Sequence, residues 1–365
     1  TVFSREYILP KITILLILLK IVFTADHQII QKITDNKYDD FLPVISHNNI
    51  LAWRFVNGEK AKIQIKFPDG KIEQIDADLN TADIKNLKSR AVNFGANVPS
   101  LAGLRPFPAG AKILFSFYDS SDYEIALYDN KKTSVLSDNN YRDDFPVLWK
   151  DLPVWCSYDG EDFELVCLKK NIIEKITENV YNDYHPACSG SRLIWQAWNE
   201  NDKLWSLAEY IDNKIVMLDK SAYIGQMQGS FKKIWGKNLP YPPAKMNVIE
   251  PALGSGGLVF LWKDMSTYEA GYWPDNSAGA FYIKKSEVRN MYLSKSVQTA
   301  GGIVVFAAWD DSKEEYDIYY WKNNMPLAQK IDRKGHDAYP VTDGKHVYWQ
   351  GFDGNDYEIY RIEIK

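Results

Sequence analysis

The chain has 365 residues, a formal net charge of -5 and an aromatic content of 14%. The negative charge argues against a general nucleic-acid-binding protein, and the aromatic content favours sheets over helical bundles. The chain contains three cysteines that form neither a CxxC pair nor a Cys/His cluster, namely Cys156, Cys167 and Cys188. We therefore expect no structural zinc site and no disulfide framework, and we interpret the cysteines as small buried residues.

The first 25 residues differ in kind from the rest. Residues 7–25 are an apolar run with basic residues on its N-terminal side and polar residues directly after it. This pattern is typical of a secretory signal peptide, and retention as an N-terminal membrane anchor is the alternative. Lys20 and the modest length of the run argue against a full membrane span. In both cases we expect residues 26–365 to be extracytoplasmic, in the periplasm, at the cell surface or secreted, and close to the membrane if the segment is retained.

The chain after residue 25 repeats itself. Residues 29–43 match residues 172–186, and shorter copies of this segment end at Pro146 and Pro340. A second pattern recurs at a constant place after these segments. It is an apolar stretch that contains an aromatic residue and, four positions later, Asp or Asn. The seven pairs of this kind are Trp53/Asn57, Phe115/Asp119, Trp155/Asp159, Trp195/Asn199, Phe260/Asp264, Phe306/Asp310 and Trp349/Asp353. Their spacing predicts a unit of about 40 residues, with two insertions near residues 78–98 and 222–248.

The sequence pattern of each unit predicts four short strands, with a turn-forming loop between the second and third strands. Four strands in a repeat of about 40 residues are typical of a β-propeller blade. The last unit ends at Lys365 after three strands, whereas a matching fourth strand, residues 29–34, precedes the first unit. We predict an all-β, seven-bladed β-propeller with four-stranded antiparallel blades, closed by pairing of the N-terminal strand in the last blade, so that no edge stays open. The predicted blades span residues 38–77, 78–140, 141–180, 181–221, 222–291, 292–335, and 336–365 together with 26–36.

The repeats resemble those of TolB-like propellers of secreted and cell-surface proteins. The resemblance covers residues 26–365 and is strongest in the units around Pro146, Pro186 and Pro340. It implies a non-catalytic binding or scaffold role outside the cytoplasm. It implies no catalytic residue, because the positions that such repeats share are structural, and a fold alone does not define a function.

Propeller topology predicts one acidic face. In a propeller, the first strand of each blade lines a central channel. Asp residues three positions before the blade-initial Pro would surround the mouth of this channel, and these residues are Asp40, Asp143, Asp183 and Asp337. Loops between second and third strands add carboxylates on the same face, and such a surface favours cations or basic partners. His185 and His336 lie beside this mouth as candidate binding or acid/base residues. The alternative for each Asp is structural, because Asp before a strand commonly accepts hydrogen bonds from nearby backbone amides.

The second insertion contains a basic and aromatic segment. Its candidate binding residues are Lys232, Lys233, Trp235, Lys237 and Tyr241. Long loops are often functional, and a cover that packs over the acidic mouth is the alternative. We expect no metal site and no other cofactor. A calcium site is the alternative, because oxygen ligands are abundant, although no EF-hand spacing is present.

Catalytic motifs are absent from the sequence, which contains no GxSxG, HExxH, P-loop or GxGxxG pattern. The first hypothesis is a non-catalytic module for protein–protein interaction or assembly at the cell surface, with a protein partner and no nucleic acid. The second is a carbohydrate-binding protein or carbohydrate-active enzyme, a lyase or glycosidase, because the mouth offers several carboxylates. The third is a membrane-anchored accessory subunit of a larger complex.

Overall fold

The computed structural model describes residues 29–46, 48–88, 101–218, 232, 247–264, 267–275, 280–283, 291–310, 313–322 and 325–365. The predicted signal or anchor, residues 1–25, lies outside the described residues. So do Lys233, Trp235, Lys237 and Tyr241 of the second insertion, whereas Lys232 is described and exposed. Within the described ranges, no helix is long and apolar enough to cross a membrane.

Seven four-stranded antiparallel sheets form the blades. Strand β1 (Gln31–Lys32) precedes blade 1. Blade 1 contains β2 (Asp39–Ile45), β3 (Leu51–Asn57), β4 (Lys60–Lys66) and β5 (Ile72–Asp76). Blade 2 contains β6 (Phe107–Ala109), β7 (Lys112–Tyr118), β8 (Tyr123–Asp129) and β9 (Lys132–Val135). Blade 3 contains β10 (Asp143–Trp149), β11 (Leu152–Tyr158), β12 (Phe163–Lys169) and β13 (Ile172–Lys175).

The later blades follow the same order. Blade 4 contains β14 (Asp183–Ser189), β15 (Arg192–Asn199), β16 (Leu204–Ile211) and β17 (Lys214–Met217). Blade 5 contains β18 (Asn247–Gly254), β19 (Gly257–Asp264), β20 (Thr267–Pro274) and β21 (Phe281–Ile283). Blade 6 contains β22 (Met291–Ala300), β23 (Ile303–Asp310), β24 (Glu315–Lys322) and β25 (Gln329–Lys330). Blade 7 contains β26 (Asp337–Thr342), β27 (His346–Phe352), β28 (Tyr357–Glu363) and, as its fourth strand, β1.

The predicted seven-bladed propeller, the architecture expected from the TolB-like resemblance, is confirmed. Strand β1 pairs antiparallel with β28, with Gln31 opposite Arg361 and Lys32 opposite Tyr360. This N-terminal strand has two residues and is therefore shorter than the predicted 29–34. The other strands lie within the predicted blade ranges, except that β22 begins at Met291, one residue before the predicted start of blade 6.

The core lies between the blades. The seven aromatic residues of the repeat all lie on the second strand of their blade, and each is at most 1% exposed. Each second strand has a continuous run of buried residues, such as Leu193, Ile194 and Trp195 in β15. Strands covered on both faces require such apolar runs instead of alternation. Each blade therefore buries its faces against its neighbours, as expected for a repeat that cannot stand alone.

The first insertion contains helix α1 (Thr81–Lys88), and a 3₁₀ turn (Leu101–Leu104) follows the insertion. The Asn80 side chain accepts a hydrogen bond from the backbone N–H of Asp83 at 2.8 Å and thereby caps the helix N-terminus. After the 3₁₀ turn, the buried Arg54 side chain donates from Nε to the carbonyl of Leu104 at 2.8 Å. This contact fixes the backbone at the start of blade 2.

A bulge interrupts the innermost strand in six blades. The pairing register with the second strand shifts in β2, β10, β14, β18, β22 and β26. In five of these bulges the residue before Pro has a φ between 51° and 54°, and these residues are Leu42, Phe145, His185, Glu250 and Tyr339. A β-bulge redirects one side chain out of the ladder, and non-glycine residues in this left-handed region are typical of functional sites.

Candidate functional site

One position of the repeat supplies a ring of seven different side chains. It is the residue directly before the blade-initial Pro in six blades, and register with the second strand places Ser296 there in blade 6. The members, from blade 1 to blade 7, are Leu42, Arg105, Phe145, His185, Glu250, Ser296 and Tyr339. We call this set the pre-proline ring.

A central cavity of about 610 Å³ extends from this ring. Residues of the innermost strands of all seven blades line it, and so do the turns that follow these strands, including Asn48, Asp151 and Asp343. Five ring members contribute to the lining, namely Arg105, Phe145, His185, Glu250 and Ser296. The volume lies in the range of small-molecule binding sites, about 300–1,000 Å³.

His185 and Glu250 form the first polar contact of the ring. Nδ1 of His185 lies 3.1 Å from Oε2 of Glu250, so adjacent blades 4 and 5 are joined at this position. The ring of Phe145, from blade 3, packs against the imidazole with a centroid distance of 4.2 Å. The imidazole is therefore held in place between a carboxylate and an aromatic face.

Arg105 forms the second polar contact. The residue is 8% exposed, and its Nη2 donates a hydrogen bond to Oγ of Ser296 at 2.8 Å across the ring. Its guanidinium also lies over Tyr339, 5.3 Å from the ring centroid. Among the described residues, Nε of Arg105 has no hydrogen-bond partner.

The charge of Arg105 is under-compensated. Burial lowers the pKa of Arg105 to about 10, while Tyr339 and Glu250 act in the opposite direction, so the side chain stays cationic near neutral pH. Burying a charge without a paired counter-ion costs free energy. A guanidinium offers planar donors that match a carboxylate. The cavity is thus suited to one carboxylate at Arg105.

The four Asp residues of the predicted acidic mouth are buried and do not line the cavity. Asp40, Asp143, Asp183 and Asp337 are at most 3% exposed, and none is among the described residues that line the cavity. Nδ2 of an Asn from the preceding connection donates to three of them, at 2.7 Å for Asn36–Asp40, 2.9 Å for Asn139–Asp143 and 2.7 Å for Asn179–Asp183. Arg333 contacts Asp337 in the same way, from Nε at 2.7 Å. These contacts support the structural alternative for the four residues.

The two candidate histidines are separated. His185 belongs to the cavity, whereas the His336 ring packs on Tyr316, with a centroid distance of 5.4 Å, and is not among the lining residues. The exposed Lys232 is not among them either.

The sequence interpretation missed Arg105, Glu250 and Tyr339. A signal for these residues was present in the sequence, because each of them directly precedes a blade-initial Pro. The interpretation selected the Asp three residues before that Pro instead.

Comparisons with solved structures show the fold. The chain is 12% identical to a puromycin-hydrolyzing peptidase of Mycobacterium tuberculosis, with a TM-score of 0.58 over 90% of this chain, and it spans about half of that protein, 51%. An oligogalacturonate lyase of Vibrio parahaemolyticus is 8% identical, with a TM-score of 0.56 over 94% of this chain and 95% of the lyase. A catalytically inactive virginiamycin B lyase of Staphylococcus aureus, with quinupristin, is 12% identical, with a TM-score of 0.55 over 92% of this chain and 99% of the lyase. No family model and no curated protein sequence matches the chain.

Proposed function

We propose that this protein is a non-catalytic, extracytoplasmic binding propeller that receives a carboxylate-bearing ligand in its central cavity. The observation that carries the proposal is the buried guanidinium of Arg105, whose Nε has no partner in the described part of the chain. The signal-like residues 1–25 support the extracytoplasmic location. The carboxylate belongs either to a protein partner, as an acidic side chain or a chain terminus, or to a uronic acid of a carbohydrate.

The remaining lining defines the shape of such a ligand. Glu250 is the other charged ring member in the cavity, and its charge disfavours a second anionic group beside the first. Phe145, Val147, Ala252 and Val341 supply apolar surface, which would pack on the uncharged body of the ligand. A single acid group on a larger and less polar body therefore fits best.

Calorimetry with two matched probe pairs tests this function. The pairs are galacturonate, which carries a single acid group, with its methyl ester, and a peptide with a free C-terminal carboxylate with its C-terminal amide. We expect the acid member of one pair to bind and its neutral counterpart to bind at least tenfold more weakly. Binding of neither acid, or equal binding of acid and neutral forms, would contradict the proposal.

Substitution of the guanidinium locates the binding. Arg105→Met should remove the affinity for the acid probe, whereas Arg192→Met should leave it unchanged. Arg192 is the matched control because it pairs with Glu209, Nε to Oε1 at 2.8 Å, and is not among the cavity residues. Circular dichroism and melting curves check that both variants are folded.

A carbohydrate lyase is the second candidate, favoured by the contact between His185 and Glu250 beside Arg105. In β-elimination from a uronate, Arg105 would neutralise the carboxylate and His185 would accept the proton on the adjacent carbon. The electron pair of the broken C–H bond forms the C=C bond while the C–O bond to the leaving sugar breaks. The leaving oxygen takes a proton from water or from the protonated His185 and becomes a free hydroxyl. A solved structure of similar fold is an oligogalacturonate lyase.

Turnover of polygalacturonate distinguishes the two candidates. A lyase produces an unsaturated sugar that absorbs in the ultraviolet, and His185→Gln should abolish this signal while acid binding persists. Binding without any product formation by the unsubstituted protein would exclude this candidate for polygalacturonate.

The third hypothesis, a membrane-anchored accessory subunit, rests on residues 1–25 and predicts that the mature protein retains them.

A further inference from the structure

Three acidic triads recur at the loops between second and third strands. In the described part of the chain, the spacing Asp-x-x-Asp-x-Glu places three carboxylates together in blades 2, 3 and 7, with one oxygen of each within 4.8 Å of the others. The triads are Asp119–Asp122–Glu124, Asp159–Asp162–Glu164 and Asp353–Asp356–Glu358. None of their residues lines the central cavity.

A lysine contacts two carboxylates of the triad in blade 7. Nζ of Lys32, on β1, lies 3.0 Å from Oδ2 of Asp353 and 3.1 Å from Oε1 of Glu358. Burial lowers the pKa of Lys32, but hydrogen bonds to Asp35, Asp353 and Glu358 outweigh this effect and raise it. A cation is therefore a natural occupant of this arrangement of carboxylates.

A lysine contacts one carboxylate of the triad in blade 3. Lys175 occupies the position of Lys32 in the register, opposite Val166, and its Nζ lies 3.0 Å from Oδ2 of Asp159. Asp162 is 6% exposed and Glu164 is 1% exposed. Oδ2 of Asp162 and Oε2 of Glu164 are buried and have no hydrogen-bond partner among the described residues, which is costly for carboxylates.

Among the described residues, no lysine forms an ion pair with the triad of blade 2. Val135 stands at the corresponding position, opposite Ala126, and is 56% exposed. Both carboxylate oxygens of Asp122 are shielded from solvent and lack a hydrogen-bond partner within the described ranges. The Glu124 carboxylate, in contrast, accepts hydrogen bonds from Oγ of Ser137 and from the backbone N–H of Asn139, so Asp122 is the member of this triad whose carboxylate has no partner there.

We propose that the triads of blades 3 and 2 each bind a divalent cation with oxygen ligands, Ca²⁺, whereas the triad of blade 7 holds Lys32 in its place. Ca²⁺ binds carboxylate oxygens at about 2.3–2.6 Å, so two ligands on opposite sides of the ion lie up to about 5 Å apart. The spacing of the triads meets this limit. All three side chains of each triad are carboxylates, and a flexible oxygen-ligand shell suits Ca²⁺ better than Mg²⁺, which demands a stricter octahedron.

Three equivalent substitutions test the proposal independently of the cavity. Calorimetric titration of the chelator-treated protein with CaCl₂ should show binding at two sites. Asp162→Asn and Asp122→Asn should each remove one site, because each loses a carboxylate of a proposed site. Asp356→Asn, the same change in the triad that holds Lys32, should retain both. The melting temperature should rise with CaCl₂ and stay unchanged with KCl of equal ionic strength.

Removal of the lysine tests the explanation for blade 7. Lys32→Met removes the ammonium group that contacts Asp353 and Glu358. We expect Lys32→Met to gain a third calcium site, and a site number that stays at two would overturn the explanation for blade 7. Absence of calcium-dependent heat and of a melting shift in the unsubstituted protein would overturn the proposal. A stoichiometry that Asp162→Asn and Asp122→Asn leave unchanged would overturn it as well.

Discussion

The indole Nε1 of Trp195 donates a hydrogen bond to Oδ1 of Asp183 at 2.8 Å. This contact joins the second strand of blade 4 to its first strand inside the core, and Trp53 and Asp40 repeat it in blade 1 at 2.6 Å. The four blades with Trp at this position have Asp three residues before Pro. Blades 5 and 6 have Phe instead of Trp, and the register positions that correspond to the Asp are Val248 and Leu293. Indole and carboxylate thus occur together and are absent together.

Removal of the indole N–H should destabilise the protein. Trp195→Phe leaves the buried Asp183 without one of its donors, which costs about 1–3 kcal/mol. The double variant Trp195→Phe/Asp183→Val, which copies blade 5, should recover much of this loss because no unpaired polar group remains. Urea denaturation of both variants measures the effect. A double variant that is less stable than Trp195→Phe would contradict this interpretation.

Asp183 should also make stability depend on pH. Burial raises the pKa of Asp183 from 3.8 to about 7, although hydrogen bonds from Asn179 and Trp195 oppose the rise. An acid with a raised pKa in the folded state stabilises the fold below its unfolded pKa and loses this contribution as the pH rises through the folded pKa. The melting temperature should therefore fall from about pH 4 to about pH 7, and Asp183→Asn should flatten this fall. Parallel curves for the two proteins would show that another group is responsible.

The repeat predicted the fold because its recurring residues are structural. The seven aromatic residues of the second strands recur because every blade buries one large side chain at this position, and their number gave the blade number. The combination of Trp195 and Asp183 recurs in four of the seven blades. The same recurrence led the interpretation to the Asp residues as a candidate binding surface, although they are buried and hydrogen-bonded to the protein.

The candidate site escaped notice for the opposite reason. The pre-proline ring has a different residue in every blade. A comparison of the repeats with one another therefore does not identify this position as significant. Arg105 is the clearest case, because blade 2 has Gly103 where four other blades have Asp. Its burial depends on the position of the 3₁₀ turn, which Arg54 fixes from blade 1. No local pattern in the sequence contains this long-range contact.

The N-terminal strand should contribute strongly to stability. The backbone N–H of Ile33 donates to the carbonyl of Ile359 at 2.7 Å, and Oγ1 of Thr34 accepts from the N–H of Ile359 at 2.8 Å. Deletion of residues 29–34 removes these contacts and leaves β28 as an unpaired edge, which favours aggregation. We expect a melting temperature lower by many degrees and oligomers in size-exclusion chromatography. Ile29→Gln is the control, because Ile29 is 76% exposed, and a deletion variant as stable and monomeric as this control would contradict the prediction.

Lys32 should be worth more to stability than its counterpart Lys175. Lys32 contacts two carboxylates of its triad and its side chain is 29% exposed, whereas Lys175 contacts one and is 40% exposed. Lys32→Met leaves Glu358, which is buried, without its cation, and we expect a loss of about 1–2 kcal/mol, between the values for exposed and buried ion pairs. Lys175→Met should cost less than about 1 kcal/mol, as for an exposed pair. Urea denaturation without calcium compares the two variants, and equal losses would show that the second carboxylate contact of Lys32 has no energetic weight.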